Sequence, residues 1–322
     1  MSDAARMDDL TAVLAHLEHD LGPLRGEPQT LTGGMTNRNV RVRLGDGDYV
    51  VRLCGMNAEV VSIDRDSEVL AQSAAHAAGL APGVAARFRA GTMLGDPPGS
   101  RELRCDVLVT QFARGRALSA ADVREPAALE RIAGAMRELH AGPALPTTFP
   151  TFGLAVDYAA RAREGGAALD EGDRTLAEGL SARIRVALSG PDHEPVPCHN
   201  DLLSSNFLSD GERLQIIDWE YAGMNDRFFD LGNLAVNNEL SGEDELRLLR
   251  HYFGEEPVER RVAALRLMRL MSDVREALWG VVQSAVSDLD FDYRNYAAEH
   301  FERLHAAAAD PRLEGWLDAA SA

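Results

Sequence analysis

The chain contains no lysine: all 33 of its basic side chains are arginine. This excludes a phosphate loop of the form G-x-x-x-x-G-K-[ST] and leaves arginine, histidine or a divalent cation for any phosphate contact. Cysteine is scarce. Cys54, Cys105 and Cys198 are scattered and odd in number, which reads as free thiols in a reducing, cytoplasmic compartment. No apolar run approaches the length of a membrane span, and Met1–Arg6 lacks the basic-then-apolar pattern of a signal peptide. Positive charge is in deficit. The net charge of −18 argues against nucleic acid or an anionic membrane surface as a partner and suits a small cationic substrate. The 322 residues, 45% hydrophobic, suffice for two lobes around one cleft.

Apolar periodicity predicts a helix over residues 8–20, ended by Pro23 and Pro28. Two strand-like runs, 39–44 and 49–53, flank Gly45-Asp46-Gly47-Asp48 and read as a hairpin. A helix follows over about 65–78, then strands near 85–90 and 106–110. Beyond Gln111–Gly115 the pattern turns helical, over about 126–140, 154–164, 173–189, 243–253, 258–287 and 293–308. The expected fold is α+β and bilobal. Residues 1–112 form a small sheet lobe with one helix, residues 113–322 a larger helical lobe, with a hinge at about 111–115. The Ala-rich tail from about His305 carries little signal and is expected to fray.

The densest signal lies between Cys198 and Asp230. His199, Asp201 and Asn206 follow H-x-D-x-x-x-x-N, and the strand-like run Leu214–Ile217 delivers Asp218. This is the spacing of a phosphoryl-transfer loop followed by a metal-binding carboxylate. Asp201 suits a base that accepts a hydroxyl proton. Asn206 and Asp218 offer hard oxygen ligands to Mg²⁺. His199 and Asp230 read as bracing residues. With no lysine available, Arg52 on the second hairpin strand is the candidate to hold the α and β phosphates of a nucleotide, partnered by Glu68. Gly33, Gly34, Thr36 and Asn37 precede the hairpin, where backbone N–H groups can approach phosphate. Gln111 and Ala113 are placed to meet a nucleotide base at the hinge.

Gly33-Gly34-Met35-Thr36-Asn37-Arg38-Asn39, Val50-Val51-Arg52-Leu53, His199-Asn200-Asp201-Leu202-Leu203 with Asn206, and Ile217-Asp218-Trp219-Glu220-Tyr221-Ala222-Gly223 together resemble the choline/ethanolamine kinase family, within the aminoglycoside-phosphotransferase and protein-kinase-like superfamily. The resemblance runs from about Thr32 to Arg303. It implies a protein-kinase-like fold, ATP and Mg²⁺ as cofactors, and transfer of the γ-phosphate to an amino alcohol, choline first and ethanolamine next. It also implies an acceptor pocket from the later helices, with Glu220, Trp279, Gln283, Phe291 and Tyr296 as its residues and Val282 where a second tryptophan is usual. Quaternary ammonium groups are held by ring faces and nearby carboxylates. Competing readings are an aminoglycoside or thiamine phosphotransferase and a nucleotide-binding pseudokinase. Asp218-Trp219-Glu220 in place of D-F-G, with no A-P-E after it, argues against a protein kinase.

Overall fold

Leu10, Val13, Leu14 and Leu17 recur at helical spacing, and α1 (Asp3–Leu21) packs that stripe into a core with Val40, Val42, Leu44, Val51, Leu53, Val107 and Val109. The computed structural model describes residues 3–31, 37–55, 61, 63–95, 100–287 and 291–321. Within it, β1 (Gln29–Leu31), β2 (Arg38–Leu44), β3 (Gly47–Leu53), β4 (Val84–Phe88) and β7 (Val107–Gln111) form one antiparallel sheet in the order β1-β2-β3-β7-β4. The expected hairpin is β2–β3, in register from Arg38↔Leu53 to Leu44↔Gly47. Val40, Val42 and Leu44 alternate inward along β2, as a half-buried strand requires. A short pair, β5 (Met93–Leu94) and β6 (Arg101–Glu102), stands apart from this sheet. Asp9 is fully buried in this region, accepting from Arg104 N–H (3.0 Å) and Arg101 Nε (3.4 Å).

The remaining elements are mainly helical: α2 (Arg65–Ala77), α3 (Ala120–Arg124), α4 (Pro126–His140), α5 (Leu154–Glu164), α6 (Glu171–Ala187), α7 (Arg227–Asn237), α8 (Gly242–Phe253), α9 (Glu259–Val286), α10 (Tyr293–Ala308) and α11 (Leu313–Ser321). Short strands lie among them. β8 (Arg116–Ala117), β10 (Phe207–Ser209) and β11 (Leu214–Ile216) form one sheet, and β9 (Val196–Cys198) pairs with β12 (Gly223–Asn225). By backbone contacts the chain divides into one unit of Met1–Ala58, Pro82–Ala113 and Ser287–Phe291, and a second of Glu59–Ala81, Arg114–Val286 and Asp292–Ala322. The division drawn near residue 112 put α2 with the sheet; by contacts it groups with the helical unit. Cys54, Cys105 and Cys198 are buried free thiols. No helix among the described residues is long and apolar enough to cross a membrane.

The long helix α9 is the axis of the second unit, with α5, α7, α10 and α11 packed on it. It is buried without interruption from Leu270 to Gln283, charged residues included. Two elements differ from expectation. The stretch after Asp226 is a helix, α7, capped by the Asp226 side chain on Phe228 N–H. The tail does not fray: Leu313, Leu317 and Ala320 at positions i, i+4 and i+7 are buried as α11 packs on α9.

Gly232 sets how closely α7 and α9 approach. A Cβ there would lie 2.7 Å from Arg269 N and Met268 C, both backbone atoms that cannot yield without parting the helices. Gly232→Ala is therefore expected to cost about 1–3 kcal/mol of stability in urea unfolding. Gly179→Ala, at an exposed α6 position with nothing within 4 Å, is the control and should gain about 0.5–1 kcal/mol. Equal effects would rule out the close approach as the cause.

Candidate active site

β9 ends at Cys198, and the chain then bends through Asn200 at φ 66°. Asparagine tolerates this left-handed conformation better than most residues. Here it is also pinned: Nδ2–H donates to Tyr221 O (2.9 Å), and Oδ1 accepts from Asn225 Nδ2 (2.7 Å). The bend leaves two backbone donors without a strand partner. Asp230, in the first turn of α7, takes both, His199 N–H at 2.9 Å and Asn200 N–H at 2.7 Å. His140 Nε2 lies 3.1 Å from the same carboxylate. His199 accepts from Asp201 N–H at Nδ1 (3.2 Å) and donates from Nε2 to Ile217 O (3.0 Å), the pattern of a neutral ring. Burial holds its pKa below the ordinary value. Asn233 of α7 completes the frame, accepting from Leu202 N–H and donating to Ser272 Oγ on α9 (2.9 Å).

Asn206 and Asp218 sit at one end of the β10–β11 hairpin. Phe207 pairs with Ile216, and Ile217 N–H donates to Asn206 O (2.9 Å), so the pairing runs on to the residues flanking both positions. Asn206 Nδ2–H donates to Asp201 O (2.9 Å), leaving its amide oxygen as the ligand atom. Asp218 adopts φ 65°, a strained conformation for a side chain of its kind and common at functional sites. Two hard oxygen donors on one hairpin end fit Mg²⁺. His140, Cys198 and Asp230, all buried, also bring ligand atoms within 4.8 Å of one another. Asp230 is committed there to backbone N–H groups, so this cluster reads as bracing.

Asp201 is buried and meets a residue the sequence reading did not single out. Arg275 of α9, 2% exposed, donates from Nη1 to Asp201 Oδ1 (3.0 Å), and the same nitrogen bonds Glu276 Oε1. Burial opposes the Arg275 charge, yet the Glu276 and Asp201 carboxylates outweigh it and hold the guanidinium pKa well above its usual value. Its guanidinium lies 4.3 Å from the centre of the Tyr221 ring. Tyr221 Oη accepts from Trp279 Nε1 (2.8 Å), and Tyr296 Oη donates to Glu276 Oε2 (2.7 Å). Trp279 meets Tyr293 and Tyr296 edge to face, both at 5.7 Å between centroids. Gly280 permits this: a Cβ there would stand 3.1 Å from Tyr293 O and Tyr296 Cδ1. Burial, partly offset by Arg275 and reinforced by Glu276 and Asp218, raises the Asp201 pKa to about 7.

The other expected site residues are distributed as follows. Glu68 and Glu220 are both buried and share Arg65, whose Nη1 donates to Glu68 Oε2 (2.8 Å) and Glu220 Oε2 (3.0 Å). Gln283 follows Glu276 and Trp279 at i+7 and i+4 on one face of α9 and is buried. Val282 is fully buried. In the sheet unit, Arg52 lies on β3 opposite Asn39 and Leu108 and is buried. Asn37 Oδ1 accepts from Gly55 N–H (3.0 Å). Gln111 ends β7, its backbone N–H donating to Gly83 O (2.8 Å), and Ala113 is buried. Phe291 belongs to the sheet unit and is 42% exposed. Gly33, Gly34 and Thr36 lie outside the described residues. Arg65, Tyr221, Tyr293, Arg275 and Glu276 were not singled out as contacts. Arg275 and Glu276 left no signal beyond an ordinary charged pair on a helix, whereas the i, i+3 spacing of Arg65 and Glu68 was visible.

The raised Asp201 pKa sets a pH dependence. A carboxyl that binds its proton more tightly when folded makes stability fall as pH rises from 3.8, its ordinary value, to about 7. Asp201→Asn removes that charge, so it should raise stability at pH 8.5 by on the order of 2 kcal/mol and change it little at pH 4. Thermal melts at both pH values test this; equal shifts would show that the carboxylate is not destabilised by burial.

A sequence profile of the phosphotransferase enzyme family matches residues 27–265. Ethanolamine kinase 1 of Mus musculus is 28% identical over 335 residues, spanning 92% of this chain and 88% of its own. The solved choline/ethanolamine kinase family protein of Mesorhizobium loti superposes with a TM-score of 0.78 at 30% identity, covering 98% of this chain and 99% of that one. Choline kinase LicA of Streptococcus pneumoniae, at 22% identity, shares the fold with a TM-score of 0.72 over 93% of this chain and 99% of its own. The α+β architecture is the protein-kinase-like one. With its H-x-D-x-x-x-x-N loop set on such a frame, the chain belongs to the phosphotransferase enzyme family and, within it, to the choline/ethanolamine kinases, enzymes that phosphorylate an alcohol.

Proposed function

We propose that the protein transfers the γ-phosphate of ATP to the hydroxyl of a small amino alcohol, in the choline and ethanolamine class. The observation that carries this reading is the junction of Asp201 with Glu276 through one Arg275 nitrogen, beside the Tyr221, Trp279 and Tyr296 rings. Two carboxylates share one guanidinium, so the buried trio keeps a net negative charge that a cationic alcohol neutralises. Asp201 accepts the hydroxyl proton and orients the oxygen. A pKa near 7 makes it a stronger base than an ordinary carboxylate while still largely ionised above neutrality. Asn206 and Asp218 would hold Mg²⁺, which neutralises phosphate charge when bound. In the sheet unit, Arg52, with its planar fork of donors, is assigned to the nucleotide phosphates. Asn37, Gln111 and Ala113, with Gly33, Gly34 and Thr36, are the nucleotide-binding residues of this reading.

ATP consumption against ethanolamine, choline, thiamine, an aminoglycoside and a hexose tests the acceptor class. Turnover with only the aminoglycoside or hexose would refute it. Asp201→Ala is expected to lower kcat by roughly 100- to 10,000-fold, while the dissociation constant for a non-hydrolysable ATP analogue stays close to that of the parent. Unchanged turnover would remove Asp201 from the role of base.

A further inference from the structure

Glu276 has a place in the acceptor site that its sequence position, one residue after Arg275 on a long helix, does not advertise. It is 3% exposed. Oε1 bonds the Arg275 Nη1 that also holds Asp201 Oδ1, and Oε2 accepts from Tyr296 Oη. Because one nitrogen touches both carboxylates, Asp201 Oδ1 and Glu276 Oε1 lie within two hydrogen-bond lengths of each other. That is a short reach, suited to a molecule whose hydroxyl and amine are two carbons apart. Each Glu276 oxygen has one donor here, and an ionised carboxylate accepts about four hydrogen bonds in all, so acceptor capacity remains.

The ring faces point the same way. A quaternary ammonium offers no N–H and is held by open aromatic faces. Tyr221 already presents its ring to the Arg275 guanidinium. Trp279 spends its N–H on Tyr221 Oη, packs edge to face with Tyr293 and Tyr296, and is only 4% exposed. The rings are thus packed on one another. A primary ammonium, by contrast, carries three donors and loses strong hydration on entering a buried site, so it needs carboxylate acceptors there.

We infer that Glu276 is the ammonium-binding residue and that, positioned by Arg275 and Tyr296, it selects a primary ammonium, as in ethanolamine, over the trimethylammonium of choline. This inference rests on the reading of the chain as an amino-alcohol kinase and reverses the order of preference implied by family resemblance. Each N-methyl group removes one donor to Glu276 and adds bulk against packed rings, so preference falls stepwise along the methylation series.

The test is kcat/KM for ethanolamine, N-methylethanolamine, N,N-dimethylethanolamine and choline in the parent protein and in Glu276→Gln. The parent should decline along the series. Glu276→Gln should lower kcat/KM for ethanolamine roughly 10- to 100-fold, mainly through KM, and lower it for choline severalfold less, since choline loses charge attraction but no hydrogen bond. A parent that prefers choline, or a variant that loses both substrates equally, overturns the inference while leaving the amino-alcohol kinase reading intact. A parent that phosphorylates none of the four overturns both. Should Glu276→Gln not fold, Tyr296→Phe serves instead. It removes the hydroxyl that positions Oε2, so the ethanolamine-to-choline ratio should fall; an unchanged or higher ratio would count against Glu276.

Discussion

The candidate site depends on one buried carboxylate satisfying two backbone donors. The bend at Asn200 takes the chain out of β9 and leaves the N–H groups of His199 and Asn200 without strand partners. Leaving them unmet in a buried site would cost about 1–3 kcal/mol each. Asp230 meets both, and it can because Asp226 caps α7 one turn earlier and Gly232 lets that helix lie against α9. His199 then ties the loop to Ile217, and Asn206 ties it to the β10–β11 hairpin. Asp201, Asn206 and Asp218 are therefore placed by one hydrogen-bonded frame.

On that frame the electrostatics are concentrated by burial. Arg275 and Arg65 each bridge two buried carboxylates, Asp201 with Glu276 and Glu68 with Glu220. Removing the arginine from such a group is far costlier than the group's net contribution to stability, because it leaves two uncompensated carboxylates in a low-dielectric interior. In each group one Nη1 nitrogen, with its two N–H donors, reaches both carboxylates. A chain without lysine uses that geometry twice in one unit. In the proposed reaction, the excess negative charge of the Arg275 group would favour a cationic acceptor.

The loop chemistry was legible because its spacing is local. Asp201, Asn206 and Asp218 lie within 18 residues and are joined by a hairpin that the Leu214–Ile217 run already suggested. The major helices and the β2–β3 hairpin were legible for the same reason, since apolar periodicity is a property of neighbours in sequence. The acceptor side was less so. Trp279 and Tyr296 were placed by resemblance, but Arg275 and Glu276 look like solvent-facing charges until α5, α7, α10 and α11 close around α9. Glu220, expected at the acceptor, shares Arg65 with Glu68. The α11 tail looked uninformative because its short apolar stripe has meaning only against α9.

By itself, then, the sequence determined most of the long helices, the β2–β3 hairpin, the phosphoryl-transfer loop and the absence of lysine. These follow from spacing, periodicity and composition, which act over a few residues. Only the tertiary structure decided which charges are buried, which carboxylates share a guanidinium and which rings are already packed. Those outcomes depend on desolvation and on contacts between residues such as Asp201 and Arg275, 74 positions apart, and no local pattern encodes them.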